Sequence, residues 1–253
     1  MRGAFFLTMA NLVLLHGFCE TSDMWSDITP QLMSEGHQVT CIDLPGFGEN
    51  RNCESSIVGI ANYVWGVLSQ KAITDPVVLG HSMGGYVALE MLSQKPGEFK
   101  GIGLIHSHAA ADSEDKKANR NKSISFVQKH GTKEFLDLFP NQLVAPHRVS
   151  DLDLMDRVQS LVIKTRSEAI IAASKAMRDR PERISLLNRV ETPILWLVGE
   201  QDGFVTVSEI YQQVSKARRS MLEVLPNVGH LSVLESPEQF LNAVNKYLNW
   251  IEA

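Results

Sequence analysis

Short apolar runs recur along the chain and alternate with stretches of helical patterning. Most of the runs are rich in Leu or β-branched residues and are apolar at nearly every position. This pattern is typical of strands that are covered on both faces of a parallel sheet. Strands are predicted over residues 12–16, 38–42, 76–80, 101–105, 194–198 and 221–225.

The stretches between these runs have the spacing of helices. They predict helices over residues 25–34, 56–71, 83–94, 207–216 and 237–250. The alternation predicts an α/β fold with a doubly wound, mainly parallel sheet of about six strands, flanked by helices and joined by right-handed crossovers. A chain of 253 residues can build such a fold as a single domain, which we predict to cover residues 1–253.

One connection breaks the alternation. Residues 107–191 contain no clear strand and are polar and helical over 112–130, 132–139 and 151–180. A connection of this length is too long for a loop, so we predict a helical lid inserted at residues 109–190. Because it leaves the fourth strand at its carboxyl end, this segment is expected to cover a site at that edge of the sheet.

Composition and net charge indicate which kinds of molecule the protein is expected to bind. Hydrophobic residues make up 44% of the chain and charged residues 21%, as in ordinary soluble domains, and the formal net charge is −5. A mildly acidic chain has no general attraction for phosphate backbones or anionic lipids, and no stretch reaches the roughly 20 apolar residues of a membrane span. We therefore expect a small-molecule substrate and neither nucleic acid nor membrane as partner; the oligomeric state stays open.

The cysteines and the amino terminus indicate the cellular compartment in which the protein is expected. Cys19, Cys41 and Cys53 are odd in number and fit no zinc or CxxC spacing, which predicts free thiols in a reducing, cytoplasmic setting. Cleavage of a signal peptide would cut into or abut the first strand, so no removed signal is expected. Met9 is an alternative start to Met1, and residues 5–8 could add one edge strand at most.

The strongest chemical signal lies between the third strand and the helix that follows it. Residues 80–86 read Gly-His-Ser-Met-Gly-Gly-Tyr, which is the G-x-S-x-G nucleophile elbow in its strand–turn–helix context. Side chains at Gly80 and Gly84 would collide with the neighbouring strand and helix. The turn is expected to expose Ser82 as a nucleophile, with the Met83 N–H aimed at a developing oxyanion.

This chain resembles the α/β-hydrolase superfamily over nearly its whole length. That family carries its catalytic residues in the order Ser, acid, His, with the acid after the strand that follows the lid. The resemblance implies that Asp202 is the acid, in preference to the nearby Glu200. It also implies that His230, in a Gly-His pair before the last helix, is the base.

The resemblance further implies an oxyanion hole with a second donor. The first strand ends in His16-Gly17-Phe18, which resembles the family's oxyanion loop, so the Phe18 N–H is the expected partner of the Met83 N–H. We expect His16 to hold this loop in place. Residues 43–48 resemble a D-x-P-G-x-G loop that we interpret as architecture. No P-loop or dinucleotide fingerprint is present, and the chemistry requires neither a metal nor an organic cofactor.

Several side chains are candidates for contact with substrate, although core packing explains each of them equally well. They are Trp25, Tyr86, His108, Phe126 and Phe139. Trp25 and Tyr86 are expected near the rim of the site, and Phe126 and Phe139 belong to the lid. His106 and His108 follow the fourth strand and are expected to face the site.

These residues predict a serine hydrolase. A serine hydroxyl needs a base within hydrogen-bond reach, a histidine can accept and return its proton, and an aspartate fixes the histidine tautomer. The predicted reaction is cleavage of a small carboxylic ester or lactone through an acyl-enzyme on Ser82.

Other reactions of the same residues stay open. A serine at position 82 argues against dehalogenase and epoxide hydrolase chemistry, because those relatives use an aspartate there. A C–C bond hydrolase, a synthase, a cofactor-free haloperoxidase and a lyase that forms no acyl-enzyme are alternatives. So is a small-molecule receptor that keeps the triad. Turnover and acylation of Ser82 distinguish these possibilities.

Overall fold

Six parallel strands form one sheet at the centre of the protein, in a computed structural model that describes residues 9–253. The strands are β1 (Asn11–Leu15), β2 (Gln38–Ile42), β3 (Val77–His81), β4 (Gly101–Ile105), β5 (Ile194–Gly199) and β6 (Ser220–Leu225). Their order across the sheet is β2-β1-β3-β4-β5-β6, and every neighbouring pair is parallel. The predicted fold class is confirmed. The possible edge strand at residues 5–8 lies outside the described residues.

Burial explains why the central strands are apolar at successive positions. All residues of β3, β4 and β5 are buried, whereas the edge strands β2 and β6 are mostly half-buried. A central strand of a parallel sheet is covered by helices on both faces, so neither set of alternating side chains reaches water.

Helices connect the strands, and the connection between β4 and β5 contains several helices in succession. They are α1 (Thr29–Ser34), α2 (Ile57–Gln70), α3 (Met83–Gln94), α4 (Glu114–His130), α5 (Lys133–Leu138), α6 (Leu152–Val162), α7 (Ser167–Arg178), α8 (Ile184–Leu187), α9 (Val207–Val214), α10 (Ser232–Glu235) and α11 (Pro237–Glu252). Every helix within residues 9–253 is too short or too polar to cross a bilayer. The three cysteines are free thiols.

Two predicted helices differ from the structure. The stretch predicted at 25–34 is a 3-10 turn, Ser22–Trp25, followed by α1, because Pro30 favours the first turn of a new helix. The stretch predicted at 151–180 is two helices, α6 and α7. The chain leaves the helical path between them, where Arg166 adopts an extended conformation before α7.

Residues 109–190, which we call the lid segment, lie between β4 and β5 and contain α4–α8. Helix α4 packs against α7. The buried guanidinium of Arg180 forms an ion pair with Asp112 at 2.6 Å and donates to the Ala110 carbonyl at 2.9 Å. Arg180 therefore ties the two ends of the lid segment to each other at the edge of the sheet.

A close backbone approach joins β1 to the turn after β3. A Cβ on Gly84 would lie only 2.5 Å from the carbonyl oxygen of Leu15. The first turn of α3 can therefore pack against the end of β1 only because residue 84 has no side chain. Gly66, in the exposed middle of α2, has open space where a Cβ would stand.

We expect Gly84→Ala to lower the free energy of unfolding by about 1–3 kcal/mol or more, because the added methyl overlaps a backbone that cannot move freely. The control Gly66→Ala should instead raise it by up to about 1 kcal/mol, since alanine is the better helix former. Urea unfolding of both variants measures the two effects. Equal midpoints for Gly84→Ala and the wild type would contradict the close approach.

Candidate active site

Ser82 occupies a strained turn between β3 and α3. Its backbone has φ +49° and ψ −110°, a region that residues other than glycine rarely adopt. Its N–H donates to the Ile105 carbonyl at 2.8 Å, and its own carbonyl accepts from Ser107 Oγ at 2.8 Å. These bonds to the end of β4 hold the serine at the amino terminus of α3.

Asp202 and His230 follow the neighbouring strands β5 and β6 and meet at the same edge of the sheet. His230 Nδ1 lies 2.9 Å from Oδ2 and 3.0 Å from Oδ1 of Asp202. Both side chains are buried, whereas the competing carboxylate Glu200 is exposed. With Nδ1–H donating to the carboxylate, Nε2 of His230 is left to accept a proton.

Asp202 is held ionised in this buried position. Burial by itself raises the pKa of its carboxyl, but the His230 imidazole and hydrogen bonds from His106 and His230 together hold it well below its usual range. The backbone N–H groups of Phe204 and Val205 also donate to Oδ1 at 2.8 and 3.1 Å.

His106 is a second histidine on the same carboxylate. Its Nδ1 lies 2.9 Å from Asp202 Oδ2 and its Nε2 lies 2.8 Å from Ser232 Oγ. Complete burial lowers the pKa of His106 to about 4, so the ring is neutral, donates from Nδ1 and accepts the Ser232 hydroxyl at Nε2. The position of His106 after β4 predicts that it faces the site, but does not predict this role. Its signal is a histidine directly after the strand that neighbours the acid strand.

The loop after β1 lies beside the turn that carries Ser82. Leu15 of β1 is paired in register with Gly80 of β3. Phe18 lies three residues after Leu15, and Met83 lies three residues after Gly80. His16 Nδ1–H donates to the Gly17 carbonyl at 2.8 Å, and Nε2 accepts from the Leu44 N–H at 2.9 Å. His16 therefore holds this loop, as expected from the sequence.

A row of aromatic rings connects this loop, the lid segment and His230. The Phe18 ring centroid lies 5.6 Å from Phe139 and 6.3 Å from Phe135, and these two lid rings are stacked at 5.6 Å. Phe204 lies 6.5 Å from Phe139 and 4.8 Å from His230. We call Phe18, Phe135, Phe139 and Phe204 the aromatic cluster.

Two of the predicted substrate contacts lie outside the aromatic cluster. Trp25 is fully buried in the core beside Phe240, with ring centroids 6.0 Å apart. The Phe126 ring lies on α4 against His130, with centroids 4.9 Å apart, and is not part of the aromatic cluster. A sequence shows that such residues are large and apolar but not which side of a helix or loop they face.

Tyr86 and His108 form a separate pair at the base of the lid segment. The Tyr86 hydroxyl lies 3.5 Å from His108 Nε2, and the Arg180 guanidinium lies 3.9 Å from the centre of the Tyr86 ring. Burial and the nearby Arg180 charge lower the pKa of His108 to about 4. The two residues line a small cavity together with Arg180.

One group of side chains has the donor types of a metal site. Donor atoms of His106, Asp202 and His230 lie within 4.8 Å of one another. The hydrogen bonds from both imidazoles to the carboxylate account for this clustering without an ion.

Comparison with known proteins identifies the class. A family model described as the alpha/beta hydrolase fold matches residues 10–237. The chain belongs to this family, which confirms the resemblance inferred from its motifs.

Individual relatives agree with this class. A pimeloyl-(acyl-carrier protein) methyl ester esterase of Pseudoalteromonas atlantica is 30% identical over 241 residues, which cover 91% of each chain. A thermophilic esterase from Thermogutta terrifontis superimposes with a TM-score of 0.91 and 26% identity, covering 97% of this chain and 92% of that one. An enol-lactonase from Burkholderia xenovorans shares the fold, with a TM-score of 0.84, 16% identity and coverage of 96% and 92%.

The buried neutral histidines predict a loss of stability in acid. His106 and His108 have pKa values of about 4 in the folded protein, whereas an unfolded histidine titrates near 6.5. Between these values the unfolded chain binds more protons than the folded protein does. We therefore expect the free energy of unfolding to fall as the pH is lowered from about 6.5 to about 4.

Urea unfolding at several pH values measures this dependence. His108→Gln removes one of the two groups and should make the slope shallower, by up to about 1 kcal/mol per pH unit. His130→Gln, which removes an exposed imidazole, is the matched control. A wild-type slope that is unchanged in His108→Gln would show that this ring does not contribute.

Proposed function

We propose that this protein hydrolyses a small carboxylic ester through an acyl-enzyme on Ser82. The observation that carries the proposal is the buried Asp202–His230 hydrogen bond at 2.9 Å, next to the strained turn that presents Ser82. The esterases among the relatives support the same class of reaction.

In the proposed reaction, each catalytic residue acts through one defined atom or N–H group. Ser82 Oγ attacks the ester carbonyl carbon while His230 Nε2 takes its proton, and the carbonyl oxygen becomes an oxyanion. The N–H groups of Phe18 and Met83 stabilise that oxyanion. When the C–O bond of the ester breaks, His230 returns the proton to the leaving alcohol. Water then repeats the sequence on the acyl-enzyme, which releases the acid and restores Ser82.

Asp202 and His106 support the base in this scheme. Asp202 keeps Nδ1 of His230 protonated and stabilises the imidazolium that forms. His106 donates to the same carboxylate at 2.9 Å and is itself held by Ser232. His106 is thus a positioning residue that keeps Asp202 in one orientation.

The aromatic cluster indicates the substrate class. Phe18 carries a proposed oxyanion donor and Phe204 packs against His230, so the rings of the cluster lie around the proposed reaction centre. Aromatic side chains favour apolar groups. We propose that one side of the preferred ester is an uncharged apolar chain.

The first test is turnover of p-nitrophenyl acetate and butyrate. The wild type should release p-nitrophenol, and Ser82→Ala should lose at least about a thousandfold in kcat, because the nucleophile is gone. Mass spectrometry should place a fluorophosphonate adduct on Ser82. Absence of both turnover and adduct in the wild type would contradict the hydrolase proposal and favour the lyase or receptor alternatives.

A second test addresses the apolar chain. Phe139→Ala should raise the KM for p-nitrophenyl hexanoate by about tenfold, since roughly 1–2 kcal/mol of apolar contact is removed, with little change for the acetate. Phe126→Ala removes a lid ring outside the aromatic cluster and serves as the matched control. Equal effects of the two substitutions would contradict the proposed role of the cluster.

A further inference from the structure

A buried pair of titratable residues contacts the backbone of His230 and is separate from the Asp202–His230 side-chain pair. His81 Nδ1 lies 2.9 Å from Glu20 Oε2, and both side chains are 1% exposed. The function proposed above uses neither of them. A buried carboxylate and imidazole are costly unless they are paired and hydrogen-bonded, so their presence here requires an explanation.

The contacts of the two side chains indicate that the pair is charged. Burial alone favours the neutral form of each residue, but the mutual attraction and hydrogen bond of Glu20 and His81 raise the pKa of the His81 imidazole and lower that of the Glu20 carboxyl. A protonated imidazole has two N–H donors. His81 uses both, because Nδ1–H donates to Glu20 and Nε2–H donates to the His230 carbonyl at 2.7 Å.

Glu20 continues this chain of hydrogen bonds into the loop after β1. Its Oε2 accepts the Gly17 N–H at 2.6 Å, three residues back along the chain. Cys19 adopts a left-handed conformation with φ +64°, which turns the chain between these two residues. A Cβ at Gly17 would lie 2.7 Å from both Glu20 Oε2 and His81 Nδ1, so a side chain here would displace the pair.

The arrangement determines which way the Phe18 N–H points. Glu20 holds the Gly17 N–H, and His16 Nδ1–H holds the Gly17 carbonyl at 2.8 Å. The Gly17 carbonyl and the Phe18 N–H belong to one planar trans peptide and point in opposite directions. With Gly17 fixed on both sides, the Phe18 N–H has one orientation.

We propose that Glu20 and His81 are positioning residues that lock the Gly17–Phe18 loop to the residue before Ser82 and to the backbone of His230. One ion pair thereby joins three segments: the loop after β1, the end of β3 and the loop after β6. The proposal rests on the proposed function, because the second oxyanion donor is the group that it aligns.

Kinetics of Glu20→Gln, His81→Gln and the double variant test this proposal with p-nitrophenyl butyrate. Misplacing one oxyanion donor should lower kcat by about ten- to a hundredfold, which is part of the roughly 10²–10³-fold cost of losing a donor, and should leave KM within about threefold. The double variant should be no worse than either single variant, because the two residues act as one unit.

A transition-state analogue separates positioning from general damage. An alkyl trifluoromethyl ketone adds to a reactive serine and leaves an oxyanion in the hole, so its inhibition constant should rise in proportion to the loss of kcat/KM. His37→Gln is the matched control. His37 is also a buried histidine, and its Nδ1 accepts the Ala10 N–H beside the amino end of β1, away from the site. This control should keep wild-type values of kcat and of the inhibition constant.

Glu20→Asp provides a variant that keeps the charge. Its carboxylate is one methylene shorter and cannot reach both Gly17 and His81, so it should also lose kcat. Wild-type kcat in Glu20→Asp and in Glu20→Gln would overturn the proposal. So would multiplicative losses in the double variant, or losses that appear in KM alone.

Hydrogen exchange tests the same pair without turnover. Amides of the segment 16–20 should exchange faster in Glu20→Gln and His81→Gln than in the wild type or His37→Gln. If the wild type hydrolysed no ester, the proposed function would fail, and this measurement alone would decide the proposal. Unchanged exchange in both variants would then overturn it.

Discussion

The ionised carboxylate of Asp202, buried at the carboxyl edge of the sheet, is the constraint on which the site depends. A buried charge persists only where partners replace the water it has lost. Here the partners are His230, His106 and the backbone N–H groups that follow Asp202 itself. They come from the ends of β4, β5 and β6, so the sheet must hold three strands in register for the charge to be tolerated.

A second buried ion pair, Glu20 and His81, lies next to Ser82, because His81 precedes Ser82 in the chain. Glu20 and His81 connect the loop after β1 to the end of β3 and to the His230 carbonyl. The two networks share His230, whose side chain belongs to the first and whose backbone belongs to the second. Such networks add less to net stability than apolar packing would. Their effect is to restrict each participating loop to one geometry, which a reaction at a carbonyl carbon requires.

Much of the fold and the core of the candidate site could be predicted from the sequence, because the signals are local. Runs of apolar residues gave the six strands, since each central strand is covered on both faces. The elbow around Ser82 was visible because its glycines are required by contacts within a few residues and with one adjacent strand. Asp202 and His230 were singled out by the resemblance to the α/β-hydrolase superfamily, which keeps its acid and base after particular strands. Their catalytic roles, and the extent of the lid at residues 109–190, stay predictions.

Only the tertiary structure decided which residues that lie far apart in the chain come into contact. Trp25 and Phe139 are both large aromatic residues in the sequence, yet the fold buries one in the core and places the other in the aromatic cluster. His106 meets Asp202 across 96 residues, and Glu20 meets His81 across 61. Neither pairing has a periodic or spacing signal, because each depends on where strand ends arrive after the sheet has formed. The sequence by itself determined the sheet, the elbow and the residue types available for chemistry, and the packing of distant segments decided which of them meet.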